Sequence, residues 1–218
     1  TSQLIDYYIH YSSEHELNTM ENHEVIDIVK QDNDHYYKIS MLNNNVKKSL
    51  NSKVILLCTG IYENKIKLNI NTSFNYVKYE MNLNHQNKKL LLVGGGNSAV
   101  DFIIYLLPKN KITWVIRNNS WSHIFSNLLP VFEKIINKYS KNLTIYTNTQ
   151  VKTFFNDNRV LLSNNVEVNE IDECGIFIGY NSRNNLFEKI GLEYNFDCLK
   201  LNKNYSTNMK NIYAFGSV

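Results

Sequence analysis

A chain of 218 residues that is 43% apolar is long enough to bury an ordinary globular core, and its 23 basic and 20 acidic residues leave a formal net charge of only +3. The charges are interspersed, so no basic stripe offers itself to a nucleic-acid backbone. Apolar runs such as Leu90 to Val93 and Phe102 to Leu107 fall far short of the roughly 20 residues that cross a bilayer, so neither nucleic acid nor membrane is expected as a partner. Thr1 to His10 lack the basic flank and apolar stretch of a signal peptide, which makes a cytoplasmic protein the expectation, and a start without Met hints at a cropped chain. Cys58, Cys174 and Cys198 sit singly in strand-like runs, with no CxxC pair and no zinc spacing. They read as buried reduced thiols, and no metal is expected.

In chain order, Leu4, Tyr7, Tyr8 and Tyr11 recur at helical spacing and predict an amphipathic helix over Gln3 to Glu16. The β-type runs Val25 to Val29, Tyr36 to Met41 and Val54 to Cys58, with a turn at Asn43 to Asn45, predict an antiparallel meander. Ile61 to Asn87 is polar and reads as a connection. A second unit opens on the strand Leu90 to Val93. A glycine turn, a helix over Ser98 to Leu107 stopped by Pro108, and a strand over Ile112 to Ile116 then outline a βαβ unit, expected to be right-handed. Pro130 suits the first turn of a helix running through Phe132, Ile135 and Ile136 to Tyr139. Further strands are expected at Leu143 to Tyr146, Val151 to Phe155, Arg159 to Leu162, Glu173 to Ile178 and Ile212 to Phe215.

The run Gly94-Gly95-Gly96-Asn97-Ser98-Ala99 fits Gly-x-Gly-x-x-Ala directly between an apolar strand and an amphipathic helix. In that context the first glycine permits the tight turn, the second lets backbone approach a pyrophosphate, and Ala99 lets helix and strand pack closely. The plainer alternative is a structural turn with no ligand. About 20 residues after such a turn an acidic residue would accept hydrogen bonds from the ribose of NAD; Arg117 stands there and favours the 2′-phosphate of NADPH, unless it is a solvated surface arginine. Asn118, Asn119, Ser120 and His123 could add neutral hydrogen bonds, and Trp121 could stack on an adenine or pack in the core. Asp101 suits the helix dipole, and His10, His15, His23, His35, His85 and His123 show no partner pattern and read as surface or packing residues.

These residues and three further segments resemble the flavoprotein superfamily with two dinucleotide-binding domains, which includes thioredoxin reductase, thioredoxin-reductase-like ferredoxin reductases, bacillithiol disulfide reductase and flavin-containing monooxygenases. Val54-Ile55-Leu56-Leu57-Cys58-Thr59-Gly60 is similar to the strand that leaves the flavin domain. Gly175 to Tyr180, with Leu186 and Phe187, is similar to the strand and turn that close the nicotinamide domain. Asn211 to Ser217 is similar to the strand that re-enters the flavin domain. The resemblance implies an α/β fold: a partial FAD-binding domain with a β meander and linker over residues 1–87, a Rossmann-like NAD(P)H-binding domain over 88–208, and a return strand over 209–218. It implies FAD and NADPH as cofactors, with NADH open, and adds Gly60, Gly179, Gly216 and Ser217 to the candidate site residues.

The departures from the family are informative too. The first glycine fingerprint and the last helix are absent, which implies a fragment. Ser217 replaces an Asp that many members place on the flavin ribityl chain, and the family's paired arginines are reduced to Arg117 followed by Asn118. Glu16-Leu17-Asn18, the missing CxxC and Leu128-Leu129-Pro130 lean toward the bacillithiol-reductase-like and monooxygenase-like branches. Hydride would pass from NADPH to flavin and onward to a small disulfide, a protein carrier or dioxygen, with a homodimer open as an assembly. No residue is assigned as catalytic acid, base or nucleophile. The competing expectation, motivated by Ser217, is a non-catalytic nucleotide-binding relative; a single-domain dehydrogenase does not account for the meander before Leu90.

Overall fold

A computed structural model of the chain describes residues 2–31, 36–60, 65–121, 124–181, 184–196 and 198–216. They fall into two compact units, Ile61–Asn181 and a discontinuous unit made of Thr1–Gly60 and Ser182–Val218. The expected boundaries at 87/88 and 208/209 therefore move. Residues 65–87 belong with the glycine turn, and residues 184–208 belong with the meander.

The discontinuous unit opens with helix α1 (Ser2–Glu14) and the antiparallel meander β1 (Glu24–Lys30), β2 (Tyr37–Asn43) and β3 (Val46–Ser52). Asn44 and Asn45, both at positive φ, form the two-residue loop between Asn43 and Val46, as the right-handed twist of a hairpin demands. The third strand of the meander is thus β3 and not Val54 to Cys58. Almost every residue of β3 is exposed, so it carries no apolar alternation to reveal it. Ile55–Leu57 forms β4, which leaves the meander altogether. The Tyr37 hydroxyl donates to the Lys210 carbonyl at 2.6 Å and ties the meander to the returning chain.

The other unit centres on a five-stranded sheet of order β5-β12-β6-β7-β8, every neighbouring pair parallel. Its strands are β5 (Val77–Lys78), β6 (Lys89–Val93), β7 (Lys111–Val115), β8 (Leu143–Tyr146) and β12 (Glu173–Ile176). Both faces are covered, so its strands read as continuous apolar runs. Leu90, Leu92, Ile112 and Trp114 pack on one face with α2 (Asn97–Leu106) and α3 (Leu129–Lys138), where Pro130 sits in the first turn and Phe132 is fully buried. Leu91, Val93, Val115 and Ile176 face the other way, onto an antiparallel sheet of β9 (Val151–Phe154), β10 (Val160–Leu162) and β11 (Glu167–Val168). That sheet, in place of a helix, makes the crossover from β8 to β12. Tyr76 helps seat it, its hydroxyl donating to the Phe155 and Arg159 carbonyls at 2.9 and 3.0 Å.

The chain then returns to the first unit through α4 (Asn185–Lys189), whose cap Asn184 accepts from the Leu186 amide at 2.8 Å, the hairpin β13 (Tyr194–Asn195) and β14 (Cys198–Leu199), and β15 (Ile212–Ala214). β15 pairs with β4 in parallel, Ile212 opposite Ile55 and Ala214 opposite Leu57. Phe187, Leu192, Leu199 and Ile212 bury against Ile28, Tyr37, Ile55 and Leu57.

The three cysteines are free, but only Cys174 is buried; Cys58 and Cys198 are exposed, which corrects the expectation that all are buried. Burial pushes the Cys174 thiol far above its ordinary pKa, with a smaller push from Glu173. A thiol-disulfide exchange reagent at neutral pH is therefore expected to titrate Cys58 and Cys198 in the native protein and Cys174 only after unfolding. A Cys174 that reacts as fast as the other two would contradict the packing of β12.

Candidate functional site

β6 ends at Val93, and the next residue has to leave the sheet while β12 still runs beside it. The Gly94 amide donates to the Val115 carbonyl at 3.0 Å, and the Phe177 amide donates to the Val93 carbonyl at 2.7 Å. Gly94 has φ +125°, and a Cβ placed on it would lie 2.1 Å from the Phe177 carbonyl oxygen. A Cβ on Gly95 would lie 2.8 Å from Cγ2 of Ile116. These two glycines are needed for packing alone.

Gly96 differs. Its backbone is extended (φ −93°, ψ 179°), which any residue adopts, and nothing lies within 4 Å of where its Cβ would be. It precedes α2 without a side chain to cap it, so among the described residues the amides of the first turn, on Asn97, Ser98 and Ala99, meet no side-chain acceptor. Fully buried Ala99 seats the helix against the sheet. A helix start with free amides, the positive end of its dipole and open space in front of it is suited to an anion. The position is right as well: β7 and β8 continue from β6 in one direction, whereas β12 lies on its other side, so the turn stands at the carboxyl end of the strands where the order reverses.

The side chain of Asn97 is already engaged, accepting from the Phe125 amide at 2.8 Å and holding the segment after β7 against the helix start. Arg117 follows the end of β7 and is exposed, with no ion pair among the described residues. Its neighbours are fixed: Ile116 donates to Tyr146 at 2.8 Å, and Asn148 donates to Asn118 at 2.9 Å. Gly179, two residues past Phe177, has φ +104° and accepts from the Ile66 amide at 3.0 Å. The structure thus brings Gly94 to Ala99, Arg117 and Gly179 to one edge of the parallel sheet. Gly60 and Gly216 lie in the other unit, just beyond paired β4 and β15. Both have positive φ, +65° and +81°, and open space where a Cβ would stand. Ser217, Ser122 and His123 lie outside the described residues.

Trp121 packs on Trp114 with ring centroids 5.4 Å apart and meets Phe132 edge-on, so it serves the core. Asp101 is partly buried, which raises its carboxyl pKa. His85 pairs with Glu173 at 3.1 Å. Two concavities, of about 180 and 390 Å³, share Lys89, Lys111 and Asn142 and lie at the amino ends of β6 and β7, away from the turn. Two contributors escaped the sequence reading. Phe177 closes on Gly94 and stacks on Phe102 at 4.5 Å, and the buried Trp114 indole donates to the Gly94 carbonyl at 2.6 Å. The alternation Ile112-Trp114-Ile116 signals the burial of Trp114 but not its hydrogen bond.

Residues 1–216 match the family described as pyridine nucleotide-disulphide oxidoreductase. The chain belongs to that family. It is 26% identical over 197 residues to a ferredoxin–NADP reductase of Lactobacillus gasseri, covering 82% of this chain and 60% of that protein. It is 27% identical over 197 residues to a thioredoxin reductase of Mycoplasma genitalium, covering 84% and 61%. Among solved structures, a bacillithiol disulfide reductase from Bacillus cereus superposes with a TM-score of 0.88 at 18% identity, over 99% of this chain and 68% of that one. The chain spans about 60% of the length of these curated relatives. Membership in this family implies a flavin and a pyridine nucleotide as cofactors, and the likeness to solved structures establishes the α/β fold with its parallel sheet.

The two kinds of glycine predict two phenotypes. Gly94→Ala should destabilise the unit by several kcal/mol, because positive φ and a backbone clash combine, whereas Gly96→Ala should change stability by no more than about 1 kcal/mol. Urea unfolding followed by tryptophan fluorescence separates them, and equal losses would refute the distinction.

Proposed function

We propose that this chain is the nicotinamide-nucleotide-binding part, with a slice of the flavin-binding part, of an FAD-dependent oxidoreductase that uses NADPH. The observation that carries the proposal is Gly96: its missing side chain serves no packing, and it faces open space at an uncapped helix start on the carboxyl edge of a parallel sheet. In this reading Ile61–Asn181 is the nicotinamide domain, and the discontinuous unit belongs to the flavin domain. The short parallel pair β4 and β15 supports that assignment, since Val54 and Leu56 are half exposed or more and two parallel strands alone form a poor sheet.

The amides of Asn97, Ser98 and Ala99 hold the pyrophosphate, and Gly94 and Gly95 keep the turn tight enough for backbone to reach it. Arg117 binds the 2′-phosphate with charge-assisted hydrogen bonds, and the acidic partner that NAD requires is missing from that position. Gly179 allows close backbone passage near the nicotinamide end, and Gly60 and Gly216 do the same for FAD, with Ser217 in the place where many members put an Asp on the ribityl chain. When bound, the nicotinamide supplies hydride to the flavin, whose electrons pass to an acceptor. The relatives' names cover a protein carrier and small or protein disulfides. A disulfide, a protein carrier or dioxygen is the proposed class of acceptor, and this chain contributes no CxxC pair to it.

Mixing the flavin-loaded protein with NADPH under anaerobic conditions is expected to bleach the oxidised flavin faster than NADH does. Protein that binds no flavin, or whose flavin neither nucleotide bleaches, would favour a non-catalytic nucleotide-binding module. Arg117→Ala should weaken NADPH binding by about 1–3 kcal/mol and leave NADH nearly unchanged. Equal losses would remove Arg117 from the 2′-phosphate. Gly96→Val should abolish binding of both nucleotides in a chain that still folds, and retained affinity would remove the turn from the site.

A further inference from the structure

The fully buried Trp114 lies on β7, one strand away from the glycine turn, and its indole N–H donates to the carbonyl of Gly94 at 2.6 Å. A buried indole needs an acceptor, and this one reaches across to the residue on which the turn pivots. Gly94 is thereby held on several sides: its amide by the Val115 carbonyl and its carbonyl by Trp114, with the Phe177 carbonyl standing where a Cβ would be. The Trp114 ring is clamped in turn. Trp121 stacks on it, and Phe132 meets it edge-on at 5.8 Å. Trp121 belongs to the same segment as Arg117, and that segment is fastened to the start of α2 by the Phe125 amide on Asn97.

We propose that Trp114 is a positioning residue for nucleotide binding, which holds the glycine turn in its phosphate-binding form and joins it to the segment that carries Arg117. This rests on the nucleotide-binding reading of the turn. Because the hydrogen bond acts on the turn and not on the 2′-phosphate, Trp114 sets affinity for NADPH and NADH alike, in contrast to Arg117.

The chain has two tryptophans, so its indole N–H groups can be followed singly. In protein labelled with ¹⁵N-tryptophan, with Trp121→Phe used for assignment, the Trp114 indole resonance should exchange slowly with D₂O. It should shift on titration with NADPH or NADH along the binding isotherm. Trp114→Phe keeps an aromatic ring in the stack and removes the donor. It should raise Kd for both nucleotides roughly ten-fold, by a similar factor for each. Wild-type affinity in a folded Trp114→Phe protein would overturn the proposal, as would a selective loss of NADPH alone. If that variant does not fold, a Trp114 resonance that stays still while nucleotide saturates the wild-type protein overturns it equally. A wild-type protein that binds neither nucleotide overturns the underlying reading as well, which separates the two failures.

Discussion

The structure of the larger unit depends on the contact between Gly94 and the carbonyl of Phe177. Up to that point β6 and β12 run in register, Val93 opposite Ile176, and the Phe177 amide extends the ladder by one bond. Beyond it the chain has to turn into a helix on one side while its neighbour continues. A residue with a Cβ would collide with backbone, which cannot move without breaking the ladder. The absence of that one atom sets where α2 begins. It therefore also sets where the helix's unbonded amides point, and which side chains of β7 come beneath the turn.

The sheet that carries this turn is buried on both faces by different means. Helices α2 and α3 cover one face and the β9–β11 sheet covers the other, so Leu90 and Leu92 divide from Leu91 and Val93 between two cores. Each such side chain contributes on the order of 1.5–3 kcal/mol on burial. The strand is thus held from both sides up to the residue before the glycines. For the proposed role of presenting amides to an anion such a base is an advantage, because the turn does not have to be ordered when the ligand arrives.

Much of this was legible in the sequence wherever burial imposed a period. The strands at Leu90, Ile112 and Leu143, the helix stopped by Pro108 and the helix begun near Pro130 stand within a residue or two of their expected limits. Elements without a buried stripe were not legible. β3 is polar and exposed, and only its pairing with β2 makes it a strand. β5 is two residues long inside a polar stretch, and it took residues 65–87 into the larger unit. Val54 to Cys58 reads as a third meander strand because adjacent strands usually pair; its actual partner comes from the other end of the chain, which local pattern cannot show. Cys58 follows the short apolar strand β4 and Cys198 opens the two-residue strand β14, and both face solvent, so local pattern overstated their burial.

The glycine fingerprint itself turns out to be a composite. Gly94 and Gly95 answer to Phe177 and Ile116, and a protein with no ligand at all would require them. Asn97 lends its side chain to Phe125, and Ala99 answers to the core. Only Gly96 and the free amides behind it are left without an internal reason. One glycine and one helix start therefore favour a nucleotide here, more than the count of matches to a pattern does. Arg117 stands apart again, exposed just past the end of β7 and taking no part in holding the turn. Under the proposed function, affinity and selectivity belong to different strands of one sheet, the first to the end of β6 and the second to the end of β7.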